Sequence, residues 1–145
     1  MPGPLPHAVP VACGIVERGG RFLAALRGTA QSNAGRWEFP GGKIRADETA
    51  ATALVRELRE ELYLDISILA RLPPNRYSYP WITIELNPFI CSLNRGEPRL
   101  SEHAEIRWVT VQEAKELEWA PADVAVLEKY QQYKKRPDDP SFRIF

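Results

Sequence analysis

Cysteine is scarce in this chain of 145 residues: Cys13 and Cys91 are its only two. They show no CxxC spacing and no neighbouring histidine, so nothing marks a thiolate metal or redox site, and two reduced, buried thiols are expected. An excess of either charge is missing as well, with 19 Lys plus Arg against 19 Asp plus Glu. No global field therefore draws the chain to polymeric nucleic acid or to an anionic membrane surface, and any anionic partner must be held locally. The opening MPGPLPHAVPVACGIV lacks a basic start and is broken by prolines, which fits neither a signal peptide nor a membrane span. A soluble, cytoplasmic protein is expected. Repeats and low-complexity tracts are absent too.

What is present suffices for one core. At 44% hydrophobic residues, a single domain over 1–145 is expected, with an arm at 1–8 and a tail at 136–145. AVPVACGIVER and RFLAALR flank Gly19-Gly20 as a β-hairpin, and GTAQSNAGR is a loop. WEF reads as a short strand entering a Pro40-Gly41-Gly42 turn, followed by a helix over 48–62 without internal Gly or Pro. LDISILARL reads as a strand. RYSYPWITIELNPFICSLN reads as two, with Pro80 and Pro88 arguing for an edge position or a bulge. EIRWVTV adds a strand, Thr110 and Glu113 have capping-box spacing, and Pro121 opens a last helix with Val124, Val126, Leu127 and Tyr130 as its apolar positions. Strands interleaved with helices make an α/β or α+β sandwich.

The stretch GGKIRADETAATALVRELREELYLDI concentrates the chemistry. At about 100° per residue, Glu57, Glu60 and Glu61 share one helical face beside an apolar arc of Ala51, Leu54, Val55, Leu58 and Leu62. Two readings stand: a solvated charge run with local Arg partners, or hard oxygen donors for a divalent cation. The double glycine just upstream, free of Cβ atoms, brings bare backbone up to a ligand.

From Gly42 the pattern runs G-x5-E at Glu48, x7-R-E at Arg56 and Glu57, then Leu58-x-Glu60-Glu61. It closely resembles the Nudix box, with Tyr63 standing where that box has glycine. WEFPGGKI, RFLAALR and EHAEIRWVTVQEAKELEWAPADVAVLE extend the resemblance to MutT-type nucleoside triphosphate pyrophosphohydrolases. The middle of the chain, about 69–100, matches least.

This resemblance implies an α/β/α sandwich with a mixed sheet and a loop-helix catalytic box. It also implies hydrolysis of a nucleoside triphosphate to the monophosphate and pyrophosphate, in a monomer or homodimer. Glu57, Glu60, Glu61 and the Gly41 carbonyl are the implied ligands of Mg²⁺, with Mn²⁺ as a substitute, and Glu102 resembles the later acidic residue that reaches the metals or handles water. Arg56 is implied to orient a box glutamate, and Glu48 either supports from outside or simply begins the helix. Gly42 and Lys43 belong to the glycine turn at the phosphates, and Glu38 precedes it on a strand facing the expected cleft. Arg27 either contacts nucleotide or is a surface arginine, and Phe39 either packs on a base or fills the core. Asp123 either hydrogen-bonds the base or stabilises the helix dipole. Another nucleoside diphosphate derivative, or nucleotide binding without cleavage, are the competing functions.

Overall fold

The computed structural model describes residues 7–100 and 102–140 with their side chains, and the backbone of 143–144. The expected hairpin is there: β1 (Val9–Arg18) and β2 (Arg21–Arg27) turn at Gly19 and Gly20, both with positive φ. Then follow β3 (Trp37–Glu38), β4 (Gly41–Lys43), α1 (Ala50–Leu62), β5 (Asp65–Arg71), β6 (Asn75–Tyr79) and β7 (Ile82–Arg95). The chain closes with β8 (His103–Val109), α2 (Val111–Ala114), α3 (Pro121–Lys135) and β9 (Arg143–Ile144). One mixed sheet runs β3-β2-β1-β7-β5-β9, with β4 on β1, β6 on β7 and β8 on β2. Only the β1/β7 pair is parallel among these pairings.

Both faces of the central strands are covered, which is why β1 reads as a continuous apolar run rather than an alternation. Ala12 and Val16 pack with Leu54, Leu58 and Leu62 of α1, whereas Cys13 and Ile15 pack with Val126, Leu127 and Tyr130 of α3. The result is the expected helix-sheet-helix sandwich. Each fully buried leucine of α1 contributes about 1.5–3 kcal/mol by leaving water. The helix lies so close to β1 that a Cβ at Gly14 would sit 3.2 Å from Leu54.

Several sequence expectations need correction. The helix begins at Ala50 and not at Glu48, because Thr49 takes extended geometry and caps the Thr52 N–H. Gly41-Gly42 is no turn but strand β4, paired with Ala12 and Cys13. Pro88 sits in a central strand, neither at an edge nor in a bulge. It is tolerated because the partner of β7 changes there from β6, ending at Leu86, to β5, starting at Phe89. Its carbonyl accepts from Leu72, and its missing N–H falls in that gap. Val124 is exposed, and Ala122 and Asp123 occupy the buried face instead. The tail is not all tail: the backbone of Arg143–Ile144 pairs with β5. Of the N-terminal arm, residues 1–6 lie outside the described part, and no described helix is long and apolar enough to cross a membrane.

Two departures from regular pairing create the site. β1 is paired with β4 at Val11 to Cys13 and with β2 only at Glu17 and Arg18, so β2 splays away and the segment Trp37–Lys43 crosses the fork. Beside it, Trp37 donates to the Glu118 carbonyl and accepts from the Ala120 N–H, both at 2.8 Å. That short zip delivers the N-terminus of α3 to Phe39.

Candidate active site

Glu57, Glu60 and Glu61 leave α1 on one side but end in different surroundings. The Glu57 side chain is 14% exposed and Glu60 55%, so the helix presents one carboxylate inward and one to solvent. Arg56 lies among them. It donates to both oxygens of Glu48 at 2.6 and 2.8 Å, to Glu57 at 2.9 Å, to Glu60 at 3.3 Å and to the Lys43 carbonyl at 3.3 Å. Glu48, just outside the helix, also accepts from the Arg45 N–H at 2.9 Å. Its hydrogen bonds from Arg56 hold its carboxyl down to about 2, and the same contacts push the Arg56 guanidinium up. The bland reading of a purely solvated charge run fails for these three residues, whose side chains are 16% exposed or less.

Glu61 differs from its neighbours. Burial, the Glu57 charge, a hydrogen bond with Glu57 and the Glu102 charge, in that order, push its carboxyl up to about 7, against an opposing contribution from His103. Glu57, Glu61 and Glu102 therefore crowd a shared volume although 41 to 45 residues of chain separate the helix pair from Glu102. Gly42 helps to keep that volume open, because a Cβ there would meet the Glu57 carboxylate, with Oε2 at 2.6 Å. Among the described residues no three His, Cys, Asp or Glu side chains form a ready-made metal cage. Hard oxygen donors with mutual repulsion nonetheless fit a Mg²⁺-class ion, which keeps several waters and rarely takes an all-protein cage.

Next to this acidic face opens a cleft of about 420 Å³, lined among others by Cys13, Arg27, Glu38, Phe39, Gly41, Gly42, Lys43, Tyr79, Trp81 and Asp123. Arg27 donates to Glu38 at 2.7 Å and to the Ser32 carbonyl at 2.5 Å, so it belongs to the cleft wall and not to free surface. Phe39 is both things at once: it stacks on Trp119 at 4.6 Å in the core and also lines the cleft. Its N–H donates to Asp123 Oδ1 at 2.9 Å. Burial, and then the Glu38 charge, push the Asp123 carboxyl well up from its ordinary value, against the Phe39 N–H and Arg27. Burial likewise pushes both thiols up, and Cys13 and Cys91 are free and buried as expected.

Sequence reasoning missed two contributors, His103 and Asn33. His103 is buried against Glu38, with Nε2 2.8 Å from Oε2; it stands next to Glu102, yet no spacing rule flags it. Asn33, at φ 56°, lines the cleft from the loop and hydrogen-bonds Tyr79. The Tyr79 hydroxyl also accepts from the Ala122 N–H at 3.2 Å, and Trp81 stacks on its ring at 5.0 Å. In the middle segment, Tyr79 and Trp81 line the cleft, while Arg76 pairs with Glu85. Tyr63, the odd residue of the box, does take the left-handed cap conformation, φ 61° and ψ 34°, with the Arg99 guanidinium over its ring.

Comparison with known proteins agrees with this arrangement. The NUDIX domain family matches residues 6–130. The chain is 34% identical to the CTP pyrophosphohydrolase of Escherichia coli over 122 residues, covering 84% of this chain and 90% of that one. It is 40% identical to a putative 8-oxo-dGTP diphosphatase 2 of Mycobacterium tuberculosis over 116 residues, covering 78% and 81%. In three dimensions it is similar to the solution structure of the E. coli ORF135 protein, with a TM-score of 0.80 at 34% identity over 94% of this chain and all of that one.

Proposed function

This chain belongs to the Nudix family of hydrolases, and from that premise we propose that it is a nucleoside triphosphate pyrophosphohydrolase: NTP and water give NMP and pyrophosphate. The observation that carries this reading is the junction of two unlike surfaces. The repelling carboxyls of Glu57, Glu61 and Glu102 border a half-apolar cleft whose far wall carries the buried carboxyl of Asp123. One surface suits cations and the phosphates they carry; the other suits a base.

Glu57, Glu60, Glu61, Glu102 and the Gly41 backbone are the residues that would hold Mg²⁺ or Mn²⁺. When bound, the metal would offset the polyphosphate charge and lower the pKa of a bound water. Arg56 and Glu48 keep Glu57 in place, which matters because hydrolysis of a phosphoanhydride is mainly a problem of position and charge. Lys43 and Gly42 stand where the cleft meets the acidic face, the place for the phosphate chain.

Asp123 is the polar group that the cleft wall offers to a base: its Oδ1 accepts from the Phe39 N–H, and burial pushes its carboxyl toward the protonated form. A protonated carboxyl donates through one oxygen and accepts through the other, a pattern that an edge of every base can match. The choice among bases is supported by the relatives, a CTP pyrophosphohydrolase and a putative 8-oxo-dGTP diphosphatase 2. Nucleotides of cytosine and oxidised guanine are accordingly the proposed substrates, and clearance of such (deoxy)nucleotides the proposed role, in a cytoplasmic enzyme built as one domain.

The test is a panel of NTPs and dNTPs including CTP, dCTP and 8-oxo-dGTP, with pyrophosphate and phosphate detected separately, in Mg²⁺ and in Mn²⁺. Pyrophosphate release from the cytosine or 8-oxoguanine nucleotides is expected, and Glu60→Gln should remove most of it. Absence of pyrophosphate from every nucleotide sinks the proposal, and release only from nucleotide sugars or dinucleotides would redirect it to another diphosphate.

A further inference from the structure

Strand β8 carries an irregularity at its start. Its register with β2 runs residue for residue from Val109 opposite Phe22 to Glu105 opposite Leu26, then skips Ala104, so that His103 faces Arg27. Such bulges re-aim a side chain, and they gather beside functional sites. Here the ring turns under the cleft wall. Its side chain is 4% exposed, and Nε2 lies 2.8 Å from Glu38 Oε2. The other Glu38 oxygen accepts from Arg27 at 2.7 Å.

A carboxylate engaged by arginine can only accept, so Nε2 carries the hydrogen and Nδ1 is left as the free end of the ring. Nδ1 is buried and has no partner among the described residues, so the ring's hydrogen bond to the described protein runs through Nε2 to Glu38. Glu38 and Arg27 line the cleft, and His103 does not.

We propose that His103 is a positioning residue for the nucleotide: it holds Glu38 from behind, Glu38 holds Arg27, and the cleft wall that receives the substrate is fixed in advance without His103 touching it. This rests on reading the cleft as the nucleotide site. The chain Arg27-Glu38-His103 spans three neighbouring strands, β2, β3 and β8. Because His103 directly follows Glu102, the same backbone segment serves both the acidic face and the cleft. Preorganised groups of this kind act on binding, so loss of His103 is read in KM and not in kcat.

The experiment uses the full chain with Mg²⁺ and the best nucleotide of the panel, together with calorimetric titration of CMP. His103→Ala should raise KM and weaken CMP by about tenfold, with kcat within about threefold. His103→Gln, whose amide still donates to Glu38, should restore both. In a Glu38→Gln background, His103→Ala should bring no further loss, because His103 acts only through Glu38. Parental KM and CMP affinity in His103→Ala overturn the proposal, as does a fall in kcat at unchanged KM. Should the alanine variant not fold, His103→Asn, too short to reach Glu38, replaces it; equal KM values for Asn and Gln then overturn the proposal. A parent chain that hydrolyses no nucleotide defeats the functional reading, and the CMP titration still decides the role of His103.

Discussion

Arg56 grips Glu48 across the start of helix α1, its Nε and Nη2 donating to separate carboxylate oxygens at 2.6 and 2.8 Å, while its Nη1 reaches Glu57. The three side chains form one unit that clamps an inward carboxylate to the loop before the helix. Arg56→Lys cannot reproduce it, since an ammonium has no planar fork to serve two partners. Steady-state kinetics should show kcat reduced about tenfold or more with KM little changed. Glu48 adds a pH dependence of known sign. Its folded value of about 2 lies below the ordinary 4.5, so its stabilisation is present above pH 4.5 and is lost as pH falls toward 2. Glu48→Gln should flatten acid unfolding curves in that window.

Glu61 behaves in the opposite way. Its folded value of about 7 lies above 4.5, so its share of stability is full below pH 4.5 and declines as pH rises through 7. In chelator, Glu61→Gln should therefore be more stable than the parent chain at pH 8 by about 1 kcal/mol, a figure reduced for partial solvent screening. Thermal unfolding at pH 5 and pH 8 measures this. Mg²⁺ should reverse the order by stabilising the parent, and equal melting of the two proteins at pH 8 in chelator would contradict the crowding of carboxyls.

Adjacent glycines should fail differently. A Cβ at Gly42 meets the Glu57 carboxylate, the movable end of a side chain, whereas one at Gly41 meets the backbone of Ala12 and lies 2.8 Å from Cys13 Cα. Gly42→Ala is expected to fold with near-parental melting and to lose about 100-fold in kcat through a displaced carboxylate. Gly41→Ala is expected to lose stability outright, since β4 cannot stay on β1. Circular dichroism melts alongside activity separate the two outcomes.

At Asp123, asparagine keeps an acceptor for the Phe39 N–H and carries no charge. Asp123→Asn should hold KM for the preferred nucleotide within about threefold. It should also abolish the stability loss that the raised carboxyl suffers as pH climbs above 4. Asp123→Ala strands the Phe39 N–H, at a cost of about 1–3 kcal/mol, and should relax selectivity between cytosine and guanine nucleotides. Unchanged selectivity in the alanine variant would remove Asp123 from base recognition.

Tyr63 occupies a left-handed cap and is 58% exposed. Tyr63→Gly should stabilise the protein by about 1 kcal/mol, less whatever the Arg99 contact contributes. Over a chain of this size that is about 3 °C in melting temperature. A lower melting temperature would mean that the Arg99 stack outweighs the backbone strain.

Much of this was legible in the chain because it is local. Helical periodicity places Glu57, Glu60 and Glu61 on one face, Thr110 and Glu113 form the expected capping box, and Gly19-Gly20 closes the expected hairpin. Where local rules misled, a tertiary contact had replaced them. Pro88 looked like an edge residue, but in β7 its gap coincides with a change of partner strand. Gly41-Gly42 looked like a turn, but a glycine pair also permits the tightest approach of two strands, and here it packs on Ala12 and Cys13.

The sequence by itself determined the carboxylate helix, which follows from spacing along a few turns of chain, and through the resemblance of its box it pointed to the family and the layered fold. Only the tertiary structure decided which carboxylates are crowded and which are exposed, that Asp123 is buried, and that His103 stands behind Glu38. Those properties arise from burial and from charges brought together across strands, from Glu38 to His103 and from Glu61 to Glu102. Electrostatic interaction depends on distance and on the surrounding dielectric, and neither is written in the order of residues.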